Sequence, residues 1–143
     1  MASIIRPAKL DDLDAINRLE QTFGAEAFTR RSLRHLIMSN NVVLVTDSAY
    51  AIVTTRVNSA KARLYSIAVL EEARGRGLGK AMLKAAELAA VDVGKKIMTL
   101  EVSESNESAC ALYSLGGYHE VDRYKEYYID GSTAIKMQKN LSF

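Results

Sequence analysis

Leu64-Tyr65-Ser66-Ile67-Ala68-Val69, then Leu70-Glu71-Glu72-Ala73, then Arg74-Gly75-Arg76-Gly77-Leu78-Gly79-Lys80-Ala81-Met82-Leu83 is the stretch on which the fold turns. Its first part is apolar and aromatic and reads as a strand. Its last part opens a series, Leu78, Met82, Ala85 and Ala89, at three- and four-residue spacing. Lys80, Lys84 and Glu87 mark what reads as the opposite face, so the spacing predicts a long amphipathic helix ending near Gly94. Between strand and helix stand three alternating glycines, and four bases surround them: Arg74, Arg76, Lys80 and Lys84. A helix start offers unpaired N–H groups and the positive end of the helix dipole, and glycines let the backbone approach a ligand closely. With the bases, that suits a phosphate-rich anion. The bland alternative is a tight turn with solvated bases.

Two familiar phosphate loops fail against this turn. A P-loop requires Gly-Lys followed by Ser or Thr, and here Ala81 follows Gly79-Lys80. A dinucleotide fingerprint requires Gly-x-Gly-x-x-Gly, whereas the glycines fall at Gly75, Gly77 and Gly79. Nor does an acidic ribose partner follow at the right distance, since Asp92 lies inside the helix.

Outward from the turn, the chain reads as alternating short elements. Ile4-Ile5-Arg6 forms a short strand ended by Pro7, and a helix follows, capped by Asp11 or Asp12, with Leu13, Ile16, Leu19 and Phe23 along one side. Thr29 caps a second helix that buries Leu33, Leu36 and Ile37 and ends at Asn40-Asn41. Strands over 42–46, 50–57 and 64–69, joined by short turns, form an antiparallel meander. After the long helix come a strand over 97–102, a helix over 106–115 ended by Gly116-Gly117, and two strands over 120–124 and 134–138 with a turn at Asp130-Gly131. A helix between the 64–69 and 97–102 strands predicts a parallel βαβ pair. The fold class is therefore α/β: a mixed, mostly antiparallel sheet with helices on both faces.

The chain has 143 residues, 48% hydrophobic and 25% charged, which suits one soluble globular domain over 1–143. A net charge of +2 does not mark a nucleic-acid binder, and no apolar window is long enough for a membrane span. Cys110 is the single cysteine, so no internal disulfide forms and a cytoplasmic setting is expected.

Arg74-x-x-Gly77-x-Gly79 is similar to the Gln/Arg-x-x-Gly-x-Gly/Ala signature of the GNAT acetyltransferases. A second stretch, Leu100-Glu101-Val102-x-x-x-Asn106-x-x-Ala109-x-x-Leu112-Tyr113 followed by Gly117-Tyr118, resembles the RimI-like branch, which acetylates the N-terminal amine of a ribosomal protein. Arg6-Pro7-Ala8 with Asp11-Asp12-Leu13 resembles the usual start of such domains. The resemblance implies the GNAT fold, with the parallel pair at the cofactor site, and acetyl-CoA as the acetyl donor. Backbone groups of Ile67, Ala68 and Val69 would pair with the pantetheine arm as an added strand, and the Val69 N–H would steady the thioester oxygen. Arg74, Gly75, Arg76, Gly77, Leu78, Gly79 and Lys80 would hold the pyrophosphate, and Asn106 would contact the cofactor near its reactive end. Glu101 matches the general base and Tyr113 the general acid. Tyr127 and Tyr128, with Tyr124, resemble the aromatic segment that borders the acceptor cleft.

These residue types suit the implied chemistry. An α-amine with a pKa near ~7.7–8 must shed a proton to attack, and a carboxylate can take it directly or through one water. A departing thiolate with a pKa of about 8.5 can be protonated by a phenol near ~10. The transfer would be direct, and no metal is expected, because no His/Cys cluster has ligand spacing. Taken alone, Glu101 reads equally as a solvated sheet carboxylate and Tyr113 as core. Cys110, among Ala109, Ala111 and Leu112, reads as buried filler, His35 as a surface helix residue and His119 as a strand residue.

The expected reaction is acetyl transfer to an amine, foremost a protein N-terminal α-amine. Alternative acceptors are a lysine side chain, a polyamine or an amino sugar, and a non-catalytic acyl-CoA-binding module is the reading from another class. The expected partner is the acceptor alone, with neither nucleic acid nor membrane, in a monomer or homodimer. Two departures from the pattern concern shape: Gly116 stands where leucine is usual, and Thr22-Phe23-Gly24-Ala25-Glu26-Ala27-Phe28 lacks the Pro-Trp of RimI-like chains.

Overall fold

A computed structural model of the protein describes residues 4–23, 29–39 and 41–141. The side chains of 21–23 and residues 24–28 lie outside that description, and with them the expectations placed on Phe23 and on the Thr22–Phe28 segment. In chain order the elements are β1 (Arg6–Pro7), α1 (Leu13–Phe23), α2 (Arg30–Met38), β2 (Val42–Val45), β3 (Ala49–Thr55), β4 (Lys61–Val69), α3 (Leu78–Asp92), β5 (Ile97–Ser103), α4 (Glu107–Leu115), β6 (His119–Tyr124) and β7 (Ala134–Asn140). They build one seven-stranded sheet in the order β1-β2-β3-β4-β5-β7-β6, in which only β4 and β5 run parallel. The final hairpin therefore adds through β7, which pairs with β5 and leaves β6 at the edge.

Each face has its own core. On one, α3 and α4 cover Ala51, Val53, Leu64, Met98, Leu100 and Ile135 with Met82, Leu83, Ala86 and Tyr113. On the other, Leu13 and Ile16 of α1 and Leu33 and Leu36 of α2 pack on Val43, Val45, Tyr50 and Ile52. Thr29 caps α2 as expected, its hydroxyl accepting from the Ser32 N–H at 3.1 Å. Asp12 works differently. It ends a short 3-10 turn (Leu10–Asp12) and reaches back, accepting from the Lys9 N–H at 2.8 Å and pairing with Arg6 at 2.8 Å. That pairing, which outweighs the effect of burial, holds its carboxyl at about 2.

Three features depart from the pattern read off the sequence. Glu87 is not on the solvated side of α3: it is 1% exposed. Tyr118 donates its hydroxyl to Glu87 Oε2 at 2.8 Å, and Lys139 Nζ donates to both carboxylate oxygens at 3.1 and 3.2 Å. Its charge is thus shared between two partners on elements far along the chain, which a helical period cannot report. Gly116, which stands where leucine is usual, sits at the tightly packed end of α4. A Cβ there would lie 3.2 Å from the Leu112 carbonyl oxygen and from Leu83 Cδ2, so the missing side chain permits close packing.

The third departure matters for the site. Between Leu64 and Ser66 the β3 partner advances by a single residue, from Val53 to Ile52, leaving Tyr65 as a bulge in β4. Beyond it the parallel pairing stops: β4 matches β5 from Lys61↔Ile97 to Leu64↔Leu100 and no further. β4 then continues along β3 to Ala49↔Val69, while β5 continues along β7 to Ser103↔Ala134. Two strands that keep different partners beyond a shared point must splay, and a bulge beside the split bends the strand further. The result is a wedge in the sheet whose vertex lies between Leu64 and Leu100.

Candidate active site

The wedge opens a cleft of about 550 Å³ toward the glycine turn, lined by Ile67, Ala68 and Val69 of β4, by Arg74, Gly75, Gly77, Leu78, Gly79 and Lys80 of the turn and α3, and by Asn106 at the start of α4 and Tyr113 within it. Backbone direction decides what β4 can offer. The Leu70 N–H donates to the Ser48 carbonyl at 2.8 Å, toward β3. Successive residues of a strand alternate, so Ala68 also pairs toward β3, opposite Tyr50, while the backbone groups of Ile67 and Val69 face the wedge. The edge available for an added strand is thus carried by Ile67 and Val69. Ala68 contributes only its place in the wall.

At the mouth of the wedge, Arg74 Nε donates to the Val69 carbonyl at 3.1 Å, tying the glycine turn to the end of the strand. Gly75 and Gly77 sit at φ 81° and 77°, a region costly for any residue with a side chain. Gly77 is the N-cap of α3, so no side chain caps the first-turn amides of Leu78, Gly79 and Lys80, which belong to residues lining the cleft. Together with Lys80, those amides make that end of the cleft electrostatically suited to an anion. Arg76 is exposed and does not line the cleft.

Asn106 is the N-cap of α4, its Oδ1 accepting from the Ala109 N–H at 3.2 Å. About two turns further along, Tyr113 is 8% exposed and stands edge-on to Tyr118, with ring centroids 5.9 Å apart. Burial, with a smaller contribution from Cys110, pushes the Tyr113 phenol up to about 12. It is a proton donor across the physiological range. Cys110 donates weakly to the Ser103 carbonyl at 3.5 Å, and burial raises its thiol pKa, which disfavours a nucleophilic thiolate.

Glu101 is the first residue of β5 past the last parallel pair, so it stands at the vertex of the wedge. Its side chain lies on the sheet face opposite Leu100 and Val102 and is 17% exposed, with Oε2 accepting from Arg63 Nε at 3.0 Å. Lys136 stands directly across from it on β7. Arg63 also stacks over Tyr65 at 5.6 Å, and Tyr127 lies nearby. Tyr127 packs against both Tyr124 and Tyr128, at 5.8 and 5.0 Å. The backbone N–H groups of Tyr127 and Tyr128 donate to the Ser132 carbonyl, folding the β6–β7 connection into a compact turn. The sequence did not single out Arg63, Tyr65 or Lys136, although the alternation Lys61-Ala62-Arg63-Leu64 signals a strand with one polar face.

An open sheet edge and an uncapped helix start behind glycines, both facing one cleft, are the features of an acyl-CoA-dependent transferase. Residues 8–141 match the family model of the acetyltransferase (GNAT) domain, and the chain belongs to the GNAT acetyltransferases. It is 32% identical to the [ribosomal protein bS18]-alanine N-acetyltransferase of Haemophilus influenzae over 88% of this chain and 88% of that protein. It is 29% identical to an N-alpha-acetyltransferase of Saccharolobus solfataricus over 96% of this chain and 92% of that protein. Among solved structures, the ribosomal-protein-S18-alanine N-acetyltransferase of Escherichia coli superposes with a TM-score of 0.84 at 28% identity, covering 99% of this chain and 96% of that one. The protein is an acetyl-CoA-dependent N-acetyltransferase. Among the described residues no helix is long and apolar enough to cross a membrane.

Proposed function

We propose that the chain acetylates the N-terminal α-amine of a protein, acting as one domain in the cytoplasm, with Glu101 as general base and Tyr113 as general acid. The observation that carries this reading is the wedge: it gives the donor one face of the sheet, by way of α3 and α4, and leaves Glu101 on the other face for an acceptor. Bound in the cleft, acetyl-CoA supplies an acetyl thioester. Ile67 and Val69 offer backbone groups to the pantetheine, and the Val69 N–H faces the position where an oxyanion would need a donor. Leu78, Gly79, Lys80 and Arg74 hold the phosphates. Glu101 receives the proton that an ammonium must lose, and Tyr113 carries the proton the departing sulfur needs.

Relatives named for α-amine acetylation support the acceptor class, and Tyr127, in the compact turn, lies near Arg63, the ion-pair partner of Glu101. The test is coenzyme A release with three acceptor sets: peptides with free N-termini, the same peptides blocked at the N-terminus but bearing lysine, and polyamines. Turnover confined to the first set is expected. A lysine-only result would move the acceptor to the side chain, and binding without turnover in every set would favour a non-catalytic module.

The phosphate cradle makes a separate prediction. Coenzyme A binding should weaken several-fold as salt rises from about 0.01 M to about 1 M, because the Debye length falls from about 30 Å to about 3 Å. Titration calorimetry at the two salt levels measures this, and an unchanged affinity would remove Arg74 and Lys80 from the cradle.

A further inference from the structure

The face of the sheet that carries Glu101 holds a second cavity of about 510 Å³, and none of its described lining residues comes from α1 or α2. Among the described residues four cations line it, Arg56, Lys61, Arg63 and Lys136, with hydroxyls from Thr54 and Thr99 and no acid. Its boundary with the proposed acceptor site is immediate: Arg63 is the ion-pair partner of Glu101, and Lys136 is its cross-strand neighbour. Lys136 is also opposite Asp122 on β6, so those two cations have carboxylates beside them. Among the described residues Arg56 and Lys61 pair with none.

Such a pocket is a poor neighbour for a bare ammonium, because its field repels the cation that Glu101 is there to deprotonate. The conflict disappears if the acceptor brings negative charge of its own. Resting on the reading of the acceptor as a peptide α-amine, we infer that this pocket receives the carboxylate of an aspartate or glutamate at the second or third residue of the acceptor.

Reach agrees with that register. Thr99 lies two residues before Glu101 on β5, about 7 Å along the strand. An extended peptide whose amine sits at Glu101 covers that span in about two residues, at roughly 3.3–3.6 Å each. The guanidinium geometry agrees as well. Arg63 holds Glu101 through Nε alone, and its Nη atoms make no hydrogen bond among the described residues, which leaves donors for an incoming carboxylate. A carboxylate that engages Arg63 also draws its charge away from Glu101, so an acidic acceptor assists the loss of its own proton.

The test compares kcat/KM for peptides that begin with alanine and differ only at the second and third residues: aspartate or glutamate, the matching amides, and lysine. Acidic peptides are expected to exceed their amide counterparts by about tenfold, with lysine peptides lowest, and the gap should shrink in high salt. Lys61→Glu with Arg56→Glu should invert the order in favour of lysine peptides, a gain that damaged folding cannot produce. Equal values for acid and amide, or a preference for lysine in the unaltered protein, would overturn the inference while leaving α-amine acetylation intact. Acetylation of lysine side chains or polyamines without any peptide N-terminus would instead overturn the reading beneath it, and the inference with it.

Discussion

Tyr113→Phe is expected to lower kcat by on the order of 10²-fold while binding acetyl-CoA as the unaltered protein does. The substitution removes one hydroxyl from a ring that is already buried and stacked edge-on against Tyr118, so its packing is preserved. What it removes is the proton proposed for the departing sulfur. The pH profile carries a second part of the prediction. Burial disfavours the phenolate, so Tyr113 keeps its proton as pH rises through the ordinary tyrosine range and loses it only near about 12. In the unaltered protein kcat/KM should therefore hold level past pH ~10. A falling limb centred near 10 would mean an acid in an ordinary environment, which Tyr113 does not occupy. Steady-state rates for both proteins across that range, with acetyl-CoA affinity measured separately, decide the matter. Full-speed turnover by the phenylalanine variant would take Tyr113 out of the chemistry.

The parts of this fold that were legible in the sequence are the parts governed by local rules. Thr29 capping α2, the glycine turn ahead of α3, and the antiparallel run from β2 to β4 each follow from neighbours a few residues apart. The parallel pairing of β4 with β5 was also readable, because a strand–helix–strand order constrains it. Where the pairing stops was not. The wedge depends on β4 staying with β3 while β5 stays with β7, and on a bulge at Tyr65 that no single residue type announces. That is why Ile67, Ala68 and Val69 look equivalent in sequence, whereas backbone alternation turns the N–H and C=O of Ala68 toward β3 and leaves it only a place in the cleft wall. Glu87 failed for the same kind of reason: its partners Tyr118 and Lys139 stand 31 and 52 residues away. Asn106 and Tyr113 were legible as a pair because seven residues, about two helical turns, put them on one side of α4. Arg63 and Lys136, which flank Glu101, come from different strands and could be joined to it only by the sheet.

Glu101→Gln separates a base from a carboxylate that merely shapes the vertex. Glutamine keeps an oxygen that can accept from Arg63 Nε, and the lost ion pair involves an arginine side chain that is 44% exposed, so folding should lose well under about 1 kcal/mol. The catalytic cost should be much larger, on the order of 10²-fold in kcat/KM near neutral pH with an α-amine acceptor. Its pH dependence is the diagnostic part. A base is needed because much of the amine is protonated below a pKa of ~7.7–8, and that need fades as the solution itself deprotonates the acceptor. The deficit of the glutamine variant should therefore shrink steadily as pH is raised through ~8 to ~10, a range in which Tyr113 remains a proton donor. If Glu101 served only to place Arg63 and the acceptor, glutamine would preserve most of that placement and any deficit would be the same at every pH. Parallel pH–rate curves for the two proteins would assign Glu101 to geometry, and converging curves assign it to proton transfer.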